Sequence, residues 1–400
     1  DRIGRLIADP ETARAMGTAS RRRVEAHHTR DALVARMRHV WKKTVADPRP
    51  PREARTWEIV EDVDALRALG PEWDGLLGPD HFFLGPEWVI SWLQHGEATG
   101  RPYVLVARDA RGRLEGVLPL VRRGDDLCFA GEGEGADHMD VVATPGHALA
   151  IAHGALDRLA GGDWGRLRFR HLAEDGALRR AIHERQWTFP YTEHLATHCP
   201  YVDVRGHASY ADYVAAHFAY SSRRNIRRYP KRFRALPDAA VERVTAPIDG
   251  VAGLRRFFAL HDNRRSDSAM TPPHIRAFHR ALVERAARSG RLLLTFLTVG
   301  GRDVACEYAF RHRDKLYAFQ SGLDESAPFE SPGLVLQAIV LEEDVFGGGL
   351  REYDFLDGTE DYKLRWATGR RRLFDVEVHR PTPVGGAAAL LRGAARLAHD

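Results

Sequence analysis

Sixteen residues, Arg351-Glu-Tyr-Asp-Phe-Leu-Asp-Gly-Thr-Glu-Asp-Tyr-Lys-Leu-Arg-Trp366, hold five carboxylates, one lysine and a glycine turn. Tyr353, Phe355 and Leu356 read as a short buried strand, and Asp357-Gly358 as the turn that ends it. Asp354, Asp357, Glu360 and Lys363 therefore crowd the strand's exit. A carboxylate there can take a proton from a substrate, and an ammonium can stabilise negative charge or bind a phosphate or carboxylate. Asp354 and Glu360 are the candidate bases and Lys363 the candidate cation, while Asp357 and Asp361 shape the turn. A salt-bridge cluster on the surface is the alternative reading. Lys363 also stands out by composition, because lysine fills only positions 42, 43, 231, 315 and 363.

Other clusters carry weaker chemistry. Ser331-Pro-Gly-Leu-Val-Leu336 starts a helix with Ser331 as cap, Pro332 in the first turn and Gly333 open to close approach. Its free N–H groups, through Leu334 and Val335, can receive a phosphate, although an ordinary Ser-Pro helix start has the same pattern. Arg223 to Arg234 is the densest basic run, and Arg223 and Arg227 are either phosphate ligands or part of a solvated face. His261 near Arg264 is a packed histidine or a polar group of an acceptor site. Gly131-Glu-Gly-Glu-Gly135 reads as a flexible loop, since two glutamates repel phosphate. No His/Cys spacing suits a metal, so no metal is expected.

These residues need a scaffold, and the chain is long enough for two or three domains at 400 residues. The three cysteines are scattered, which suits a reducing compartment. The net charge of +4 leaves acidic and basic residues nearly balanced and makes no case for nucleic acid. No run of about eighteen apolar residues could span a bilayer. The chain begins Asp-Arg-Ile-Gly without a signal pattern, and a fragment is the expectation.

Strands are expected at Trp57–Val60, Tyr103–Arg108, Leu114–Arg122, Leu127–Ala130 and Leu167–His171. Helices are expected at Asp64–Leu77, from Pro86, at Ala148–Leu159 and at Gly176–Arg185. Past residue 200 a similar order recurs. A helical region Tyr210–Leu236, broken near Pro230, precedes a strand at Val241–Val244 and helices Gly250–Arg265 and Pro273–Ser289. A meander of Leu292–Val299, Val304–Arg311 and Leu316–Ser321 follows, then the Ser331 helix, the Tyr353 strand and Leu373–His379. The repetition implies a duplicated α+β fold.

The second unit's order resembles the GNAT (acyl-CoA N-acyltransferase) fold. Phe257-Phe-Ala-Leu-His261 with Arg264, Phe278-His-Arg-Ala-Leu282 and Val304-Ala-Cys-Glu-Tyr-Ala-Phe310 resemble the CelD/BcsL-like, FemAB-related acetyltransferases. So do Tyr317–Asp324, Ser331–Leu336 and Asp354–Trp366. Trp73-Asp-Gly-Leu-Leu77, Pro86-Glu-Trp88, Trp92 and Asp137-His-Met-Asp140 resemble that family's first half. The similarity spans residues 57–380 and implies tandem GNAT-like units at 57–200 and 201–380, each a mixed, mostly antiparallel sheet flanked by helices. It also implies an acyltransferase using acetyl-CoA or another acyl-CoA, with the donor held by Ser331, Pro332, Gly333, Leu334 and Val335. The acceptor would be an amine or hydroxyl of a small-molecule or lipid-linked sugar, as in exopolysaccharide or envelope synthesis. Its contacts would be Arg223, Arg227, His261, Arg264, Glu307, Tyr362 and Asp140. Tyr362-Lys363 matches the Tyr-Lys pair that FemAB-like transferases associate with substrate and transition-state charge. No cysteine or serine sits beside a base, so direct transfer is expected. The location implied is cytoplasmic, with peripheral contact at the inner membrane face. The competing readings are aminoacyl transfer from tRNA onto a peptidoglycan precursor and a non-catalytic binding module. Residues 1–46, through Ile7–Gly17 and Arg21–His28, resemble the C-terminal tail of bacterial GT-B glycosyltransferases, without a nucleotide-sugar site. A Pro-rich linker at 47–56 and a helix or tail at 381–400 complete the expected organisation.

Overall fold

Runs such as Leu292-Leu-Leu-Thr-Phe-Leu-Thr-Val299 and Tyr103-Val-Leu-Val-Ala107 are rich in branched and aromatic residues and lie within strands covered on both faces. The structure, a computed structural model, describes residues 55–95, 100–184, 189–264, 270 and 272–380. The expected helices before residue 47, the linker up to residue 54, the tail after 380 and the side chain of Arg264 lie outside the described residues.

The first half runs β1 (Thr56–Val60), α1 (Val63–Leu76), α2 (Pro86–His95), β2 (Arg101–Arg108), β3 (Leu114–Arg123), β4 (Asp126–Phe129) and β5 (Val142–Ala143). It continues with α3 (Ala148–Ala160), β6 (Arg166–Ala173), α4 (Ala177–Glu184) and β7 (Tyr191–Asp203). Two helices, α5 (Tyr210–His217) and α6 (Tyr220–Arg234), lead into the second half. There follow β8 (Ala239–Val244), α7 (Pro247–Arg264), α8 (Pro273–Arg288), β9 (Leu292–Val299), β10 (Arg302–His312) and β11 (Lys315–Leu323). Then α9 (Pro332–Ile339) passes into a π-helical segment (Val340–Phe346), and β12 (Glu352–Asp354), α10 (Asp361–Trp366) and β13 (Gly369–His379) close the order. Apart from the small β5, the two halves share the sequence β-α-α-β-β-β-α-β-α-β.

The halves share one sheet, in the order β1-β2-β3-β4-β6-β13-β7-β12-β11-β10-β9-β8. Only β4–β6 and β11–β12 are parallel neighbours within it. The last strands are exchanged. β13, from the end of the chain, pairs with β6 of the first half, and β7 pairs with β12 of the second. β13 and β7 also pair with each other from Gly369–Tyr201 to Val378–Tyr191. One apolar core runs from α1 through α2 to α7 and α8, and a second lies on α5, α6 and α9. Phe82 stacks on Phe310 with ring centroids 4.6 Å apart, and Trp88 meets Phe278 edge-on at 5.0 Å, which joins the halves.

Three local expectations differ from what is found. The helical region 210–236 breaks at Phe218, whose extended backbone (φ −107°, ψ 147°) ends α5, whereas Pro230 is accommodated inside α6. β7 had no counterpart among the expected strands, because its outer part is polar and half exposed. Within the glycine stretch 131–135, expected as a flexible loop, Gly131 is packed while Gly133 faces open space. Gly131 has φ +86°, and a Cβ there would lie 2.4 Å from Trp88 Nε1, so the backbone is held against that ring.

Candidate active site

Parallel pairing between β11 and β12 covers only Lys315–Tyr317 against Glu352–Asp354. β12 then stops, and Leu356 turns the chain away with φ +57°, a left-handed conformation costly for a leucine. β11 continues to Leu323 and carries a register shift opposite Tyr308–Ala309 that leaves Phe319 as an extra residue. Such a bulge bends the strand and commonly marks the rim of a site. The two strands thus splay into a fork, and a cleft of about 210 Å³ occupies it. Ala318, Phe319, Gln320 and Ser321 form one wall and Tyr353, Phe355, Leu356 and Asp357 the other, with Glu360, Tyr362 and Lys363 at one end and Gln337 of α9 alongside.

The first half has the equivalent fork between β4 and β6, but its own chain fills it. Met139 lies beside Leu172 as a short parallel bridge, with Met139 N–H donating to His171 O at 2.9 Å. Arg168 is 3.0 Å from Glu132. This filler then reaches the open cleft, because Gly135 and Asp137 line it. Asp137 accepts from the N–H of Asp357 at 2.8 Å and pairs with His171 at 2.7 Å.

Of the proposed acid–base groups, Asp354 is sealed. It is 0% exposed, 2.9 Å from His138 and 3.5 Å from Arg371, and it accepts from the N–H of Leu356. Burial alone would raise its carboxyl, but the charge and hydrogen bond of His138, with Arg371 and Lys315, hold it down at about 2. His138 moves the opposite way: burial lowers it, yet Asp354 and Asp137 outweigh that and raise it. The chain of charges continues from Arg371 to Glu352 at 2.6 Å and from Glu352 to Lys315 at 2.7 Å, and Lys315 also meets Asp80. Asp354 thus belongs to an ion-pair network between the halves and does not face the cleft, a consequence of Asp80 and His138 arriving from the other half. Of the network's other members, His138 was named within the Asp137-His-Met-Asp140 motif, whereas Asp80 and Arg371 were not singled out, nor was Lys315, although it shares the rarity that marked Lys363.

Lys363 lies at the cleft end, donating to Asp357 O and 3.2 Å from Glu360. Glu360 precedes α10, and Tyr362 is half exposed on it. His261, from α7, and Glu307, from β10, also line the cleft. Glu307 is buried, and Tyr353 O–H donates to its Oε2 at 2.7 Å. Burial pushes its carboxyl up to about 8, Asp344 adds to this, and the Tyr353 hydrogen bond opposes it. Lys363, Glu360, Tyr362, His261 and Glu307 are thus brought together.

The remaining candidates fall elsewhere. Asp140 accepts from the N–H groups of Ala177 and Leu178 at 2.7 Å each and caps α4. Arg223 donates to Phe218 O at 2.7 Å, where α5 gives way to α6, and Arg227 is exposed. Ser331 precedes α9 with φ +56° and makes no side-chain capping bond. Pro332, Gly333, Leu334 and Val335 form the first turn, and Gly333 closely approaches Leu323: a Cβ there would lie 3.3 Å from Leu323 Cδ1. α6 packs on α9, and Arg228 and Arg232 each lie 3.7 Å from Glu330, just before Ser331. Among the described residues no His/Cys/Asp/Glu group could hold a metal ion.

Comparison with known proteins agrees with this fold. Residues 221–364 match the family model described as an acetyltransferase (GNAT) domain. No curated protein matches the chain. FemX has a similar structure, with TM-score 0.53, 10% identity and coverage of 80% of this chain and 96% of that one. L-PGS from Bacillus licheniformis gives TM-score 0.51 at 12% identity, covering 80% and 92%. A conserved protein of unknown function from Bacteroides thetaiotaomicron gives 0.51 at 12% identity, covering 81% and 100%. At such identities the likeness is one of fold, and that fold is the α+β arrangement of the GNAT type.

Proposed function

We propose that the open fork of the second half transfers an acetyl or other short acyl group directly from acyl-CoA to an amine or hydroxyl of a sugar or envelope precursor. The observation that carries this reading is the splay of β11 from β12 beside the start of α9. An acyl-CoA presents an elongated amide-bearing arm and a phosphate-rich end. Two features suit these parts: the edge of β11 beyond Tyr317 has no partner on the β12 side among the described residues, and Arg228 and Arg232 lie beside Glu330, two residues ahead of the first turn of α9. Bound there, the donor supplies an activated thioester carbonyl. Lys363 is placed to stabilise negative charge at the cleft end, and Asp357 O and Glu360 hold its ammonium in position.

The cysteines support direct transfer over a thiol intermediate. All three are buried, and burial pushes the Cys128 thiol up to about 12 and those of Cys199 and Cys306 well above their ordinary value. A lipid-linked acceptor would bring the protein to the inner face of a membrane. The exposed Tyr220 and the basic α6 suit such a surface, and no helix among the described residues is long and apolar enough to cross one.

Calorimetric titration with acetyl-CoA and its short homologues tests the reading. One saturable site is expected, and absence of heat with every short acyl-CoA would overturn it in favour of an aminoacyl-tRNA donor or a non-catalytic module. Lys363→Ala should lower kcat roughly a hundredfold with donor affinity retained.

A further inference from the structure

We propose that Glu307 is the proton acceptor of this transfer and that the acceptor substrate offers it a primary amine. The inference rests on the acyl-transfer reading and deepens it.

Glu307 lies on β10 and lines the cleft, with only 5% of the residue exposed. Tyr353 O–H occupies its Oε2, and its Oε1 has no hydrogen-bond partner among the described residues. A buried carboxyl oxygen left without a partner is costly, and an incoming N–H would satisfy it. The register places Thr295 and Ser321 directly across from Glu307 on the two neighbouring strands. Thr295 Oγ1 is also buried without a partner among the described residues, so a polar row crosses the sheet at this point.

The charges around the cleft select the class of acceptor. Asp137, Asp357 and Glu360 face it against the single ammonium of Lys363. That excess of carboxylate attracts an amine, which is cationic in bulk water, and gives a neutral hydroxyl no advantage. It also disfavours an anionic group beside the reacting atom.

The ammonium gives one proton to bulk water on entering the cleft, and the nitrogen of the resulting neutral amine forms the new C–N bond to the acyl carbon. The C–S bond breaks and its electron pair leaves on sulfur. The nitrogen's surplus proton goes to Glu307 Oε1, and the same proton then neutralises the thiolate, restoring the carboxylate. Glu307 must therefore be ionised to begin the cycle. The groups that share the cleft with it are Tyr353 from β12, Gln337 from α9, His261 from α7, and Tyr362 and Lys363 from α10; Thr295 and Ser321 flank it in the sheet, and Asp344 from the π-helical segment adds its charge. Burial dominates among these influences and brings the carboxyl up to about 8, close to the range in which amines titrate.

The test uses the full chain with acetyl-CoA, glucosamine as amine probe and glucose as its hydroxyl counterpart. Glucosamine should be acylated and glucose not. The kcat/KM, calculated on the unprotonated fraction of glucosamine, should rise with pH and level off near 8. Glu307→Gln should lower kcat by ~10²–10³-fold and abolish the rising limb, and Glu307→Asp should recover part of the rate. Acetyl-CoA affinity by calorimetry should be unchanged in both variants. Independently of turnover, the protonated-carboxyl infrared band that Glu307→Gln removes should fade as pH passes about 8 and should shift on adding glucosamine but not glucose. A rising limb that survives in Glu307→Gln, equal turnover of glucose, or a carboxyl band indifferent to glucosamine would each overturn the proposal. Failure of the acyl-CoA reading looks different, as wild-type protein that binds no acetyl-CoA.

Discussion

Replacing Glu307 by Gln should make the protein more stable while making it less active. In the folded chain this carboxyl holds its proton to about 8, against an ordinary value of 4.5. Between those values the folded state binds more protons than the unfolded one, so stability falls as pH rises through this window and then levels. Glu307→Gln removes that loss. Its melting temperature should exceed wild type at pH 8 and match it near pH 4; a variant less stable at pH 8 would contradict the buried-carboxyl account. Asp354 behaves oppositely. Its depressed carboxyl contributes stability above the ordinary value of 3.8, lost as pH falls toward about 2. His138, raised above its ordinary 6.5, contributes below that value, and the contribution disappears as pH rises through its folded-state value. Asp354→Asn should cost ~3–5 kcal/mol at neutral pH, because it leaves buried cations uncompensated. Calorimetric melting across pH should show the deficit narrowing above pH 6.5 as His138 loses its proton.

At the scale of elements, α6 and α9 carry the donor hypothesis. Arg228→Ala with Arg232→Ala should weaken acetyl-CoA binding by ~10–100-fold, from the loss of charge-assisted contacts, with little change in melting temperature. Unchanged affinity by calorimetry would place the phosphates elsewhere. Arg223 and Arg227 were singled out in the sequence because basic residues at helical spacing look alike until a neighbour defines which side faces the site. The meander β9–β11 was legible, since its apolar runs are separated by Gly300-Gly301 and by Arg313, all with positive φ. β7 was not. Thr192, Glu193 and His194 in its outer part give no alternating pattern, and its place in the sheet comes from its partners β13 and β12. The cleft was legible in part for a similar reason. Lys363, Tyr362 and Glu360 lie close together in the sequence, whereas Asp137 and Gly135 come from the other half. The same blindness misplaced Asp354, whose neighbour His138 is distant in the chain.

For the whole molecule, the exchanged last strands make each half depend on the other. β13 supplies Leu373, Val376 and Val378, all at most 1% exposed, between strands from both halves. Unfolding in urea should therefore lose the environments of Trp88 and Trp366 at one denaturant concentration. Single-tryptophan variants that report two separated midpoints would show the halves to be independent. A chain ended after residue 368 would leave β6 and β7 as adjoining open edges, and it should aggregate and not retain one folded half.

The filled fork of the first half has a consequence for inheritance. When a duplicated fold keeps one opening and uses the material of the other to wall it, the silent copy is no longer free to drift. Gly135, with φ +83° and a would-be Cβ 2.9 Å from Phe319, belongs by sequence to the copy without a cleft and by position to the copy with one. Variation there should appear as a defect in the other half's chemistry, so lineages carrying this chain should show the two halves changing in step.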